Sequence, residues 1–139
     1  MKRRVLFICT HNSARSQMAE GLLRNLGNER FEVFSAGTEA TFVRPMAIQA
    51  MAELGIDILH QQSKTLDRYL GEPFDDVITV CDTAAEACPV FPSAARRRHW
   101  SFEDPSKATG NEAEQLEIYR KVRNEIRSRI ENELVSDAH

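Results

Sequence analysis

The chain has 139 residues, 42% hydrophobic and 28% charged, and its 18 basic and 21 acidic side chains give a formal net charge of −3. That balance excludes a disordered chain and a broad basic footprint, so neither nucleic acid nor an anionic membrane is expected as a partner. Apolar runs such as Val5-Leu6-Phe7-Ile8-Cys9 are too short to span a bilayer, and the stretch behind Met1-Lys2-Arg3-Arg4 is too short for a signal-peptide core. A single domain over residues 1–139, monomeric and cytoplasmic, is the expectation.

In chain order, Arg4 to Ile8 reads as a buried strand, followed by a polar loop. Ser16 to Leu26 reads as a helix with Met18, Leu22 or Leu23, and Leu26 on one face, ended by Gly27-Asn28. Phe31 to Ser35 is a second strand, stopped by Ala36-Gly37. Pro45 suits the first turn of a helix running to about Leu54, with Gly55 at its C-cap. A weak strand over Ile56–Leu59 and a short helix over Lys64–Leu70 follow. Asp76 to Val80 is an apolar strand that delivers Cys81, and Asp82 to Ala87 is helix-forming material stopped by Pro89. Arg96 to Trp100 supplies a short last strand. Thr109 with Glu112 resembles a capping box for a long helix carrying Leu116, Tyr119, Val122, Ile126 and Ile130 on one stripe. Val135 to His139 is expected to fray. The alternation points to an α/β domain: a central parallel sheet of about four strands with helices on both faces. Such sheets bind ligands at the carboxyl ends of their strands, where Cys9 and Cys81 both fall.

The three cysteines, Cys9, Cys81 and Cys88, are an odd count that argues against a structural disulfide framework. Inert thiols and reactive thiols both stay open on spacing alone. Metal is the weakest reading, because the gap between Cys81 and Cys88 is too wide for a zinc knuckle.

The joint between the first strand and the first helix is more telling. Successive backbone N–H groups over Thr10, His11, Asn12, Ser13, Ala14, Arg15 and Ser16, ahead of a helix N-terminus, form a nest that favours a tetrahedral oxyanion. Arg15 adds a bidentate clamp that is always charged. Cys9 lies at the mouth of that positive field, which favours the thiolate, and Ser16 can donate to its sulfur. Asn12 tolerates the left-handed backbone a tight cradle needs. A buried strand-end cysteine before a polar helix start is the plainer alternative.

The segment resembles the phosphatase loop of the low-molecular-weight protein tyrosine phosphatase fold, and the chain from about Val5 to Ile130 is similar to the thioredoxin-coupled arsenate reductases built on it. The resemblance runs through Phe7-Ile8-Cys9, Arg15-Ser16-Gln17-Met18-Ala19-Glu20-Gly21, Ser35-Ala36-Gly37, Val80-Cys81, Cys88-Pro89, His99-Trp100 and Phe102-Glu103-Asp104-Pro105. It implies Cys9 as nucleophile, Cys81 and Cys88 as a redox pair, and Asp104 as general acid, with Glu103 the fallback. Proline restricts the residue before it to extended conformations, which helps hold the Asp104 carboxyl over the anion. In an intact helix residues seven apart are separated by roughly 10 Å, whereas a disulfide needs Cα atoms within about 7 Å. Joining Cys81 to Cys88 therefore requires that segment to change shape.

Positions 10–14 hold no further cysteine and Ser106-Lys107-Ala108 no aromatic, both unlike the phosphatase branch. The resemblance thus implies arsenate as substrate, thioredoxin as reductant and no cofactor. Glutaredoxin is the alternative reductant. A phosphatase on tyrosine phosphate or small esters, and a non-catalytic oxyanion or redox sensor, are the competing functions. Some relatives hold potassium through Asn, Glu, Ser and Asp. Asn12, Glu20 and Ser35 match three of these, and Lys64 stands at the fourth. No metal is expected: either the Lys64 ammonium replaces it, paired with Glu20, or Lys64 is a solvated surface lysine. His11 reads as an exposed loop residue, and Arg96 to Arg98 as a solvated edge or a docking patch.

Overall fold

The computed structural model describes residues 2–82 and 95–136. Its centre is β1 (Arg3–Cys9), buried from Val5 onward as expected of a parallel strand covered on both faces. It is flanked by β2 (Phe31–Gly37) on one side and β3 (Asp76–Thr79) on the other, with β4 (Arg96–His99) outside β3. All pairings are parallel, with Phe7 opposite Ser35 and Ile78, and Ile8 opposite Ala36 and Thr79. The chain thus leaves β1 for one side and then returns to the other. The carboxyl ends of β1 and β3 form the point where strand order reverses, where such sheets place ligands.

Alternate residues of the strands point into different cores. Val5, Phe7, Val33 and Ile78 meet α1 (Arg15–Gly27), α2 (Pro45–Ala52) and α3 (Glu112–Ile130). Leu6, Ile8, Ala36 and Val77 meet Tyr69 and Leu66 of the 3₁₀ helix Leu66–Tyr69, together with Phe74 and Phe34. The rings of Phe34, Tyr69 and Phe74 pack edge-on at 5.4–5.9 Å between centroids. Both faces therefore carry helix, three long ones on one side and a single short turn on the other among the described residues.

At the amino end of the sheet the carboxylate of Asp76 is fully buried and receives Arg3 through two hydrogen bonds of 2.6 and 3.0 Å. Arg96 and Arg98 approach it at 3.8 and 3.9 Å, and Arg98 also donates to Glu133. The arginines of β4 thus serve this ion cluster as well as the solvent edge.

Several boundaries differ from the expected ones. Ile56–Leu59 forms no strand, and the edge of β2 is met by Lys64 and Thr65. Ile56 and Ile58 instead bury in the helical layer, where Ile58 packs so closely on α1 that a Cβ at Gly21 would lie 2.6 Å from its Cγ2. The helix expected over Lys64–Leu70 shortens to the 3₁₀ turn Leu66–Tyr69. Lys64 and Thr65 extend the edge of β2, through a bond from Gly37 N to Lys64 O and a parallel bridge between Gly37 and Thr65. The capping box sits two residues later than Thr109 and Glu112: Asn111 Oδ1 accepts from Glu114 N, and Asn111 N donates to Glu114 Oε1. Gly110, at φ 98°, makes the turn that puts Asn111 in the extended conformation a cap needs. The end of α3 does not fray at Val135, since the chain continues through the π-helical turn Glu131–Val135 with Leu134 buried. Residues 137–139 lie outside the described residues, as does the helix expected up to Ala87 beyond Asp82.

Candidate active site

The loop after β1 is shaped by where its carbonyls go. Thr10 O accepts from Thr38 Oγ1 (3.0 Å) and Glu39 N (3.1 Å), and His11 O from Thr41 Oγ1 (3.3 Å) and Ser63 Oγ (3.1 Å). Asn12 O accepts from Gln17 Nε2 (3.1 Å), Ser13 O from Arg44 N (2.9 Å), and Ala14 O from Met18 N (2.8 Å). Each trans peptide carries its N–H opposite its carbonyl. Fastening these five carbonyls outward directs the N–H groups of His11 to Arg15 the other way, as an anion nest requires. Gly37 lets the loop lie against the end of β2. A Cβ there would stand 2.7 Å from Thr10 O and 2.8 Å from both Asn12 N and Cys9 O.

Asn12 is fully buried and left-handed, at φ 49°. Its amide orientation follows from its partners, since Oδ1 accepts from Lys64 N (2.8 Å) and Gln17 Nε2 (2.9 Å) while Nδ2 donates to Ser16 Oγ (2.8 Å). Ser16 Oγ lies 2.8 Å from Cys9 Sγ. With Asn12 donating to Ser16, the serine's own hydrogen is left for the sulfur. Cys9 is buried at the N-terminal end of α1, where the helix dipole also favours negative charge.

Arg15 is buried and tied to the loop that follows β4. Its Nη1 donates to Phe102 O at 3.2 Å, and its Nη2 lies 3.6 Å from Asp104 Oδ2. Asp104 caps the 3₁₀ turn Pro105–Lys107. Its Oδ1 accepts from Ser106 N (2.9 Å) and Ser106 Oγ (2.7 Å), which turns Oδ2 toward Arg15. A cleft of about 420 Å³ opens beside Asp104, lined also by Asp82, Lys107 and Ile118. The fallback acid Glu103 lines the same cleft as Asp104 but is held in an exposed ion pair with Lys121.

Cys81 is fully buried just past β3. The β1–β3 register sets Ile8 beside Thr79, and the bond from Val80 N to Ile8 O (2.8 Å) closes the ladder, so Cys81 stands one residue beyond the level of Cys9 on the adjacent strand. Cys88 lies outside the described residues. His11 faces outward, with Nε2 3.6 Å from Glu39.

Lys64 is no surface lysine: it is 9% exposed, with Nζ 3.8 Å from Glu20 Oε1 and donating to Gln62 O at 2.5 Å. Burial lowers its pKa, against the raising effect of Glu20. Glu20 also accepts from Ser35 Oγ and from Arg24 at 2.6 Å. With two cations already on this carboxylate, and the Asn12 amide oxygen engaged by Lys64 N and Gln17, these residues do not fit a further cation. Among the described residues no group of three or more His, Cys, Asp or Glu side chains is placed to hold a metal.

The motif therefore marked the candidate groups of the loop but not the partners outside it that hold them: Thr38, Thr41, Ser63 and Ser106. Ser106 alone carried a local signal, since serine following Asp-Pro is a turn pattern in which side chains bond nearby backbone.

Comparison with known proteins agrees with this geometry. The chain is 47% identical over 129 residues to an arsenate reductase of Halalkalibacterium halodurans, covering 93% of each chain. A solved arsenate reductase in the phosphate-binding state superposes with a TM-score of 0.83 at 35% identity, covering 99% of both chains. A thioredoxin-dependent arsenate reductase of Corynebacterium glutamicum matches with a TM-score of 0.65 at 26% identity, covering 99% of this chain and 64% of that one. Residues 4–137 match the model for low molecular weight phosphotyrosine protein phosphatase, and the chain belongs to that family.

Proposed function

We propose that this protein reduces arsenate to arsenite through its three thiols, with thioredoxin restoring the reduced enzyme. The observation that carries this reading is Cys9 Sγ held 2.8 Å from Ser16 Oγ at the mouth of a loop whose carbonyls all face away. Arsenate enters the nest, its charge met by the backbone N–H groups and Arg15. The Cys9 thiolate attacks arsenic. One As–O bond breaks, Asp104 supplies a proton to the departing oxygen, and a thiol–arsenate ester and water result.

Cys81, as thiolate, then attacks the Cys9 sulfur. The S–As bond breaks with its electron pair going to arsenic, so As(V) becomes As(III) and leaves as arsenite while a Cys9–Cys81 disulfide forms. Cys88 attacks Cys81, expels the Cys9 thiolate and leaves a Cys81–Cys88 disulfide for thioredoxin to reduce. Phosphate occupies the same cradle but does not accept these electrons. The Lys64 ammonium, beside Glu20, takes the place of the potassium ion that some relatives bind.

The test is arsenate-dependent NADPH oxidation coupled through thioredoxin and thioredoxin reductase. Wild type should turn over steadily, and Cys88→Ser should stop after about one event per enzyme. The family's phosphatase chemistry is the second reading, supported by the pairing of Arg15 with Asp104, which sets a cation and an acid side by side at the loop after β4. Absence of arsenate turnover in wild type, with sustained aryl phosphate hydrolysis, would decide for it.

A further inference from the structure

Arg44 stands beside this site without a task in the chemistry above. It precedes α2, and its backbone N–H fastens Ser13 O of the anion loop at 2.9 Å. Its guanidinium lies 4.8 Å from the centroid of the Phe42 ring, and Phe42 is itself 53% exposed. Its Nε is sheltered from solvent and makes no hydrogen bond. Arg3, Arg24, Arg120 and Arg123 each hold a carboxylate at hydrogen-bonding distance, whereas the Arg44 guanidinium has no such partner among the described residues. A partly desolvated cation with only an aromatic face beside it is poorly compensated until an anion arrives.

Its backbone bond to Ser13 O sets it against the anion loop, and its charge is felt close by. Burial raises the pKa of the Tyr119 phenol, the Arg44 charge works against that rise, and the Asp104 carboxylate adds to it. The charges of Arg44 and Asp104 thus both act on the Tyr119 hydroxyl, and Asp104 lies beside Arg15. We infer that Arg44 is a second cationic recognition residue for the oxyanion, drawing a doubly charged tetrahedral anion to the loop and adding to the charge Arg15 supplies. This rests on reading the loop as an oxyanion cradle.

The test uses inorganic phosphate as probe and needs no turnover. Pre-reduced wild type, Arg44→Gln and Arg44→Lys are alkylated with iodoacetamide, and modification of Cys9 is followed on the tryptic peptide of residues 5–15. All three keep the backbone N–H that Ser13 needs. Phosphate should protect Cys9 in wild type. The half-protecting concentration should rise about three- to tenfold in Arg44→Gln at low ionic strength, fall back toward wild type in Arg44→Lys, and lose most of the difference in high salt. Equal protection of wild type and Arg44→Gln at every salt concentration would overturn the role of Arg44 and leave the cradle standing. So would a rise that salt does not diminish and lysine does not rescue, which marks a merely structural effect. No protection of wild type would overturn the cradle itself and Arg44 with it.

Discussion

Gly37→Ala tests whether the shape of the anion loop depends on its contact with the end of β2. The added methyl would meet three backbone atoms at 2.7, 2.8 and 2.8 Å, namely Thr10 O, Asn12 N and Cys9 O. No side-chain rotation relieves backbone contacts, so the loop or β2 must move by about half an ångström or more to restore ordinary packing distances. β2 is held along its length by β1, and the loop by its outward carbonyl bonds. Overpacking of this kind costs about 1–3 kcal/mol. A displacement approaching 1 Å at a preorganised site costs roughly 10²-fold in rate. The assays are urea unfolding, and kcat/KM for arsenate in the thioredoxin-coupled system. A lowered midpoint with a 10- to 100-fold loss of kcat/KM is the expected result (about 1.4 kcal/mol per tenfold). Wild-type stability together with wild-type kcat/KM would refute the claim that this contact sets the geometry of the cradle.

Ser106→Ala removes one of the two hydrogen bonds that hold Asp104 Oδ1, and should lower kcat by about tenfold through the acid's misplacement; an unchanged kcat would show that the backbone bond suffices. With Lys64 seated beside Glu20, exchanging sodium for potassium chloride at constant ionic strength should leave the coupled rate unchanged, and strong activation by potassium would refute the substitution of metal by ammonium. Glu53, bonded to Arg120 and Arg123, has its pKa lowered from 4.5 to about 2, first by the Arg120 hydrogen bond and then by that from Arg123. A depressed folded-state pKa contributes stability above about pH 4.5 that is lost as pH falls toward 2. The denaturant-midpoint gap between wild type and Glu53→Gln should therefore be present at pH 5.5 and close across that window. A gap independent of pH would contradict the assignment.

The loop from Cys9 to Ser16 was legible in the sequence because its chemistry is contiguous. A nucleophile, a run of small or polar residues and an arginine at a helix start need no knowledge of the rest of the chain. Asp104 was legible only through a resemblance, since Asp-Pro alone is a common turn. The donors from Thr38, Thr41 and Ser63 were not legible, because they reach the loop across 28 to 52 residues and no local pattern marks a serine as the partner of a distant carbonyl. Errors of element assignment have equally physical sources. Ile56 and Ile58 carry the alternation of a strand, but the edge of β2 is met by Lys64 and Thr65 and the segment served the helical layer. The capping box moved because Gly110 takes a positive φ and hands the cap to Asn111, a preference that competes with Thr109 on nearly equal terms.

The outward fastening of the loop has an evolutionary consequence. Much of its curvature is inherited from residues 38–44 and 61–64, none of which belongs to the stretches that carry the family resemblance. A lineage can retune which anion it accepts by exchanging one of these distant donors while every residue from Cys9 to Ser16 stays the same. Such a variant would pass any inspection of the motif as an unaltered enzyme and yet differ in selectivity. Within this family, divergence of substrate is therefore to be sought first in the segment between β2 and α2.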